Sequence, residues 1–539
     1  MAVDLCFNNH YCPSLRSRRT YRRWLLGAML LGAAICGSPQ CLYAAELDDS
    51  KKPSSADSAM AADPIFAAID AKAKQHSQRE YESSHELPED LKELNYDTYR
   101  LIAFEHARSI WKKEALPFWL EFFHRGYIFR DEVQVSLLPD GATSGDQANR
   151  LDFDKTMFQY RGEVAGLDPP KDLGYAGVKV IGKFPDSENY LEVASFLGAS
   201  YFRAISPGQF YGSSARGLAV DIGLAKAEEF PIFREFWIET PKPDSQDLKV
   251  WALLDSPSVA GAYALVIHPN ETMTIDVKAR LYFRRVPEKV GIAPLTSMFM
   301  WGPGKPGPEN DPRPRVHDAD SLLIQRGEND WIRRSLNRLD FPSLSNYDAK
   351  ELHGFGLMQA ERLPSRYKDD EAKYHLRPSV WITPKTPWQD GAVQLLELPS
   401  EHEGIDNIGA YWMPKQPVKV GEPIDLEYEI AFLSQSPKQH SLAKVTDFRV
   451  DRSDKSSLRL TVVFQGDAIS KFSTERQLQS HIDVQRGKAE NIVVRRTALN
   501  TVEVTCNLVP DTPYAMEMEV HLVDEEELFS ESWRYLCPI

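Results

Sequence analysis

The chain has 539 residues, with 63 Lys and Arg against 78 Asp and Glu, a formal net charge of −15, and 42% hydrophobic and 11% aromatic side chains. That apolar content can fill two or three large cores and excludes a chain disordered throughout. The acidic balance argues against nucleic acid and anionic membrane as partners, because phosphate recognition needs concentrated Lys and Arg.

The front of the chain reads as an address. Ser17-Arg18-Arg19 with Arg22 and Arg23 forms a twin-arginine pattern, and the apolar run Trp24 to Gly37 is too short to span a bilayer comfortably. Residues 1–45 are therefore expected to be an export signal, cleaved near Ala44-Ala45, that delivers a folded protein to the periplasm with no stable membrane insertion afterwards. Removing them takes five arginines and one aspartate from the totals, leaving 58 basic and 77 acidic side chains, a net of −19. Four of the six cysteines go with the leader. Cys506 and Cys537 remain as a disulfide candidate in an oxidising compartment, provided their strands lie side by side.

Residues 46–63, rich in Ser, Lys, Asp and Ala, read as a flexible mature N-terminus. Apolar residues at helical spacing then predict helices over Pro64 to about Glu80 and over Leu87 to Trp111. From Pro117 the period becomes two. Strands are expected at Phe118 to Phe123, Tyr127 to Val135, Gly177 to Ile181, Leu248 to Leu254, Tyr263 to Ile267, Met273 to Phe283 and Val393 to Leu398. Strands and helices do not alternate, which excludes a doubly wound or barrel α/β enzyme and points to an all-β protein of stacked antiparallel sheets. The large sandwich is expected over 64–414. A proline-rich linker follows at 415–423, then about seven short strands over 424–539 that fit an immunoglobulin-like sandwich.

Several stretches carry residues suited to chemistry. Glu403 and Asp406 lie three positions apart ahead of Tyr411 and Trp412, a combination of carboxylates and aromatic faces suited to sugar binding and acid-base work, with Asp406 the leading candidate. Ordinary turn residues would look the same. The long Gly- and Pro-rich loop after Trp301 delivers the chain to His317, Asp318 and Asp320. These three could in principle hold a metal, but nothing nearby in sequence completes a shell, so a base among the aspartates, or a set of rim residues, is the better reading and no cofactor is expected. Tyr201 and Arg203 in Leu197 to Arg203, and Arg216 in Tyr211 to Asp221, sit among small residues that would admit a ligand, although arginines paired to carboxylates in tight turns would give the same pattern. Aromatic residues including Tyr374, Trp381 and Trp412, beside Arg377, suggest a carbohydrate cleft. A serine-hydrolase elbow and a phosphate loop are both missing.

Ten segments in chain order carry a resemblance. Among them are Ser195 to Arg203, Ser214 to Asp221, Gly291 to Phe299, His317-Asp318, Gly354 to Leu357, Arg377 to Trp381 and Asp406 to Ile408. By these the chain resembles the periplasmic glucan biosynthesis proteins G and D (OpgG/OpgD, also MdoG/MdoD) from about Tyr96 to Trp412, and more weakly at Ser530 to Trp533. The resemblance implies a galactose-mutarotase-like large sandwich with a cleft for β-1,2-glucan, a small immunoglobulin-like domain and a homodimer. Its members are similar to inverting endo-β-1,2-glucanases. Carried over residue by residue, it makes Asp406 the general acid, Asp318 the base acting through water and a substrate hydroxyl, and Glu403 a neighbour that tunes the acid by like charge. The alternative is a non-catalytic protein that presents the glucan backbone to branching or substituting enzymes. Two departures are visible: the segment between Phe432 and Leu458 is short for the family, and Asn329-Asp330-Trp331 stands where Gly-Glu-Trp is expected.

Overall fold

The computed structural model describes residues 63–83, 86–437, 441–452, 458–472, 478–524 and 527–539. The expected export signal at 1–45 and nearly all of the expected flexible stretch 46–63 lie outside the described residues.

Helix Pro64–Ser77 forms where the periodicity predicts it. It turns Ile65, Phe66, Ile69 and Ala73 inward onto the strands Leu248–Asp255, Val259–Pro269 and Met273–Phe283. Polar clamps fix it there: Lys72 to Glu235 at 2.6 Å, the Tyr282 hydroxyl to Asp70 at 2.8 Å, and His76 to Asp255 at 2.9 Å.

The single helix expected over Leu87 to Trp111 is instead a chain of short pieces. Helices Glu89–Lys92 and Tyr96–Tyr99, strand Ile102–Phe104 and a 3-10 turn at His106–Arg108 occupy that span. Asn95 is the reason the first piece stops. Its side chain accepts from the Thr98 N–H while Thr98 reciprocates, a capping box that starts a separate helix at Tyr96. Ile102 to Phe104 then pair with Phe158 to Tyr160.

Beyond this, strands dominate. One sheet of ten strands runs, in order, through Trp119–His124, Tyr175–Gly182, Leu191–Leu197, Tyr201–Ala204, Ser214–Arg216, Val290–Ser297, Ile408–Pro414, Trp388–Glu397 and Ser343–Leu352, with Leu218–Val220 also pairing Val290–Ser297. The other large sheet holds the strands from Gln134–Leu138 through Ile232–Glu239, Leu248–Asp255, Val259–Pro269 and Met273–Phe283 to Ile424–Leu433, Ser379–Pro384, Gly354–Met358, Ser321–Gln325 and Trp331–Ser335. The protein is thus an all-β sandwich. Burial of the facing sides of the two sheets drives it: Val178 and Val180, Phe196, Phe202, Phe233, Phe236, Leu281 and Tyr428 all enter one continuous core.

Two expectations near the C-terminus need correction. Strand Ile424–Leu433, expected to open the small domain, pairs with Met273–Phe283 from Ile424 opposite Leu281 to Phe432 opposite Met273, and with Ser379–Pro384 on its other side. Leu426, Tyr428, Ile430 and Phe432 recur every second residue and fill the main core, so burial carries this strand past the linker into the large sheet. A second core begins only at Ala443 and ends at Cys537. It is enclosed by a four-stranded sheet of Lys444–Asp451, Leu458–Gln465, Thr501–Pro510 and Gly487–Ala498 and by the strands Gln479–Gln485, Met516–Asp524 and Ser532–Cys537.

The second correction concerns Cys506 and Cys537, which are free and buried. Cys506 faces Leu460 across the four-stranded sheet, whereas Cys537 faces Met516 in the other layer. Their strands are not neighbours, which removes the condition on which a bridge depended.

The C-terminal module is welded to the large sheet. Ile332 to Arg334 run parallel to Ser532 to Arg534, Arg333 pairs with the fully buried Glu531 at 2.5 Å, and Asn337 donates to the Tyr535 hydroxyl and the Leu536 carbonyl at 3.0 Å each.

Candidate active site

The site grows from the face of the ten-stranded sheet turned away from the main core. On strand Tyr201–Ala204, Phe202 and Ala204 enter the core, so the period of two sends Tyr201 and Arg203 to the opposite face. Tyr201 is the cross-strand partner of Arg216. Ser214 and Thr296 are also partners, and their hydroxyls meet at 2.8 Å. The same arithmetic corrects one aromatic expectation. Ile408, Ala410 and Trp412 face the core, so adjacent Tyr411 and Trp412 cannot both floor a cleft. Trp412 is a core residue against Trp388, with ring centroids 6.1 Å apart.

Asp318 and Asp406 hang from one short segment, Ser297 to Phe299. The Asp318 N–H donates to the Met298 carbonyl at 2.8 Å. Next to Asp406, the Asn407 N–H donates to the Ser297 carbonyl at 3.1 Å. The Asn407 side chain accepts from the Phe299 N–H at 2.8 Å and donates to the Phe299 and Leu398 carbonyls at 2.9 and 3.0 Å. An amide side chain acting as a strand partner thus fixes where Asp406 emerges.

Both carboxyls are buried, with residue exposures of 3% for Asp318 and 7% for Asp406. Burial pushes the Asp406 carboxyl up to about 6; Arg203, the Thr296 hydroxyl, Arg216 and Arg377 act in the opposite direction. None of them makes a hydrogen bond of normal geometry to either Asp406 oxygen, since both oxygens are enclosed without a partner. A buried carboxyl in that state favours its neutral form. Asp318 is also pushed up to about 6, first by burial, with Arg377 and Arg203 opposing and the Asp406 charge adding to the rise. Arg377 donates directly to the Asp318 carboxylate.

Three arginines surround the pair. Arg216 is held by Glu228 at 2.6 Å and lies over the Tyr201 ring at 4.8 Å and the Phe230 ring at 5.1 Å. Arg377 lies over the Tyr374 ring at 4.5 Å, and Arg203 is a charge neighbour of Asp406, Asp318 and Tyr211. Tyr201, Arg203, Arg216, Tyr374, Arg377, Asp318 and Asp406 therefore come together. His317 joins them from the short antiparallel pair Phe299–Trp301 and Val316–His317, fully buried and stacked on Phe299 at 5.5 Å.

The other candidates stand elsewhere. Trp381 stacks on Trp331 at 5.9 Å in an apolar cluster with Leu323, Met358 and Leu442; it is packing, because its strand neighbours Val380 and Ile382 take the main core and leave it the outer face. Trp301 is buried beneath the rim, its indole N–H donating to the Arg313 carbonyl at 2.8 Å. Glu403, expected to tune the acid, has its carboxylate paired with Arg313 at 2.9 Å, and burial is the largest cause of the rise at Asp406. Arg313, absent from the sequence-based candidates, also binds Asp311 at 2.7 Å and Asp369 at 3.0 Å, tying three rim loops together. Asn407 and Gln359 were missed as well. Asn407 sits in a conspicuous Asp-Asn-Ile triplet, whereas nothing in the sequence flags Gln359.

Among the described residues no group of three or more His, Cys, Asp or Glu is placed to hold a metal ion. Asp320 is occupied as a loop anchor, accepting from the Ala360 N–H at 2.7 Å and the Ser321 hydroxyl at 2.8 Å.

The fold and site define an all-β sandwich protein with two enclosed carboxyls ringed by arginine and tyrosine. A family model described as "Periplasmic glucan biosynthesis protein, MdoG" matches residues 65–537. The chain belongs to this family of periplasmic glucan biosynthesis proteins. Among the described residues no helix is long and apolar enough to cross a membrane.

Proposed function

We propose that this protein is an inverting endo-β-1,2-glucanase that trims the backbone of periplasmic glucan, with Asp406 as general acid and Asp318 as base. The observation that carries this reading is the pair of enclosed carboxyls hung from Ser297 to Phe299, each pushed up to about 6. Inversion needs a protonated carboxyl at the leaving oxygen and an ionised one that activates water on the opposite side of the sugar. In the proposed step Asp406 gives its proton to the bridging oxygen as the C1–O bond breaks. Water forms the new bond to C1, and its proton passes through a substrate hydroxyl to Asp318. The pair leaves the step with the proton on the other residue and is reset by exchange with solvent. Arg203, Arg216 and Tyr201 supply hydrogen-bond donors for the hydroxyls of a neutral polymer.

One observation favours the second reading, a scaffold that presents glucan to other enzymes. Arg377 already occupies the Asp318 carboxylate, and a base engaged by a guanidinium is weakened. Incubating the purified mature protein with linear β-1,2-glucan and measuring new reducing ends decides between them. The hydrolase yields reducing ends that disappear in Asp406→Asn while glucan still raises the melting temperature. A scaffold yields the thermal shift without reducing ends in either form.

A further inference from the structure

Gln359 is almost wholly enclosed, at 1% exposure, just past strand Gly354–Met358. Its backbone N–H donates to the Ser379 hydroxyl at 2.9 Å. The side-chain nitrogen lies 2.9 Å from both the His317 carbonyl and the Tyr374 carbonyl. Only an NH2 group can serve two carbonyl oxygens, so the orientation of the amide is settled by its surroundings. Its oxygen then faces His317 Nδ1 at 2.8 Å and must accept a proton from it. His317 is therefore the Nδ1–H tautomer, and Nε2 keeps a lone pair. That nitrogen is buried with no partner. A 180° turn of the ring would put Cδ2 where Nδ1 now meets the Gln359 oxygen and forfeit that bond; the ring is stacked on Phe299 at 10° and met edge-on by Tyr367 at 5.4 Å.

The two carbonyls that Gln359 holds are those that set the candidate base and its counter-charge. His317 directly precedes Asp318. The Tyr374 carbonyl also accepts from the Arg377 N–H at 3.2 Å, closing the turn from which Arg377 reaches Asp318. A shift in either segment changes how closely the guanidinium sits on the carboxylate, and hence how basic the carboxylate is.

We infer that Gln359 is a positioning residue of this site: one amide sets the Asp318–Arg377 spacing and locks His317 in its Nδ1-protonated form. The inference rests on the reading of Asp318 as base, and its test is built to fail separately from that reading. In the mature protein labelled with 15N-histidine, the His317 resonances, found by their loss in His317→Gln, are expected to show the Nδ1–H pattern. Finding the proton on Nε2 overturns the inference whether or not the protein cleaves glucan, and needs no variant at Gln359.

The activity arm uses Gln359→Met, which keeps volume and loses every side-chain hydrogen bond. Turnover of linear β-1,2-glucan should fall by about tenfold or more, KM should stay within about threefold, and the ionisation assigned to the base should move in the pH profile. Gln359→Glu can still accept from His317 but cannot donate to the two carbonyls, so it should resemble the Met variant. Variants with wild-type turnover and pH profile overturn the inference. Should the wild-type protein yield no reducing ends at all, the hydrolase reading falls, and the tautomer measurement alone decides for or against the clamp.

Discussion

Asp318 and Asp406 are attached to the same three residues: the Asp318 N–H is bound at Met298, and the residue after Asp406 is bound at Ser297 and Phe299. Their carboxyls share Arg203 and Arg377 as charge neighbours. Two acids in one field lose their protons as a pair, so measured ionisations belong to the couple rather than to either residue.

The first prediction concerns activity and pH. With both carboxyls pushed up to about 6, the form with one proton on the pair is most populated near pH 6. The kcat/KM profile on linear β-1,2-glucan should be a narrow bell centred near that pH, falling about tenfold per pH unit on each flank. A plateau extending through pH 8 would remove the carboxyl pair from the mechanism.

The second concerns stability. Asp406 holds its proton more tightly folded, at about 6, than at its ordinary value of 3.8. Its contribution is fully present below about pH 4 and is lost as pH rises through about 6. Asp406→Asn should therefore be more stable than wild type by about 1–3 kcal/mol at pH 7.5, with the advantage shrinking to nothing near pH 4. Urea melts at the two pH values measure it. An equal advantage at both pH values would mean that ionisation is not the cause.

A third prediction addresses a buried ion pair between the two large sheets, from strand Trp331–Ser335 to strand Trp388–Glu397. Arg334 and Glu397 are each fully buried and paired at 2.8 Å. Glu397→Ala leaves a guanidinium enclosed without its counter-charge and should cost about 3–5 kcal/mol, while an apolar replacement of both partners should recover most of that loss. Denaturant unfolding of the two single variants and the double variant provides the check.

Fourth, the thiols. Cys506 and Cys537 are buried, and burial pushes each thiol up to about 11, so neither should react with a thiol reagent at neutral pH until the protein unfolds. The mature chain should then release two equivalents, and a reductant should leave its melting temperature unchanged. Protection of both thiols in denaturant would demonstrate a bridge.

Much of the architecture is legible in the residues themselves. Strict alternation, as in Met273 to Leu281, specifies a strand and its buried face, because a period of two admits no other partition. The helix after Pro64 is equally readable, whereas the span from Leu87 is not, since the Asn95–Thr98 cap competes with an apolar pattern that continues past it. Carboxylates and arginines near turns marked Asp318, Asp406, Arg203, Arg216 and Arg377. What those residues do depends on who stands beside them, and that is a matter of contacts between segments far apart in the chain. Only the tertiary structure seats Glu403 on Arg313, sends Trp412 and Trp381 into packing, separates the two cysteines into different layers and draws Gln359 between His317 and Tyr374. Periodicity is local and survives in one dimension; burial, charge partners and proton affinity are set by neighbours that only folding supplies.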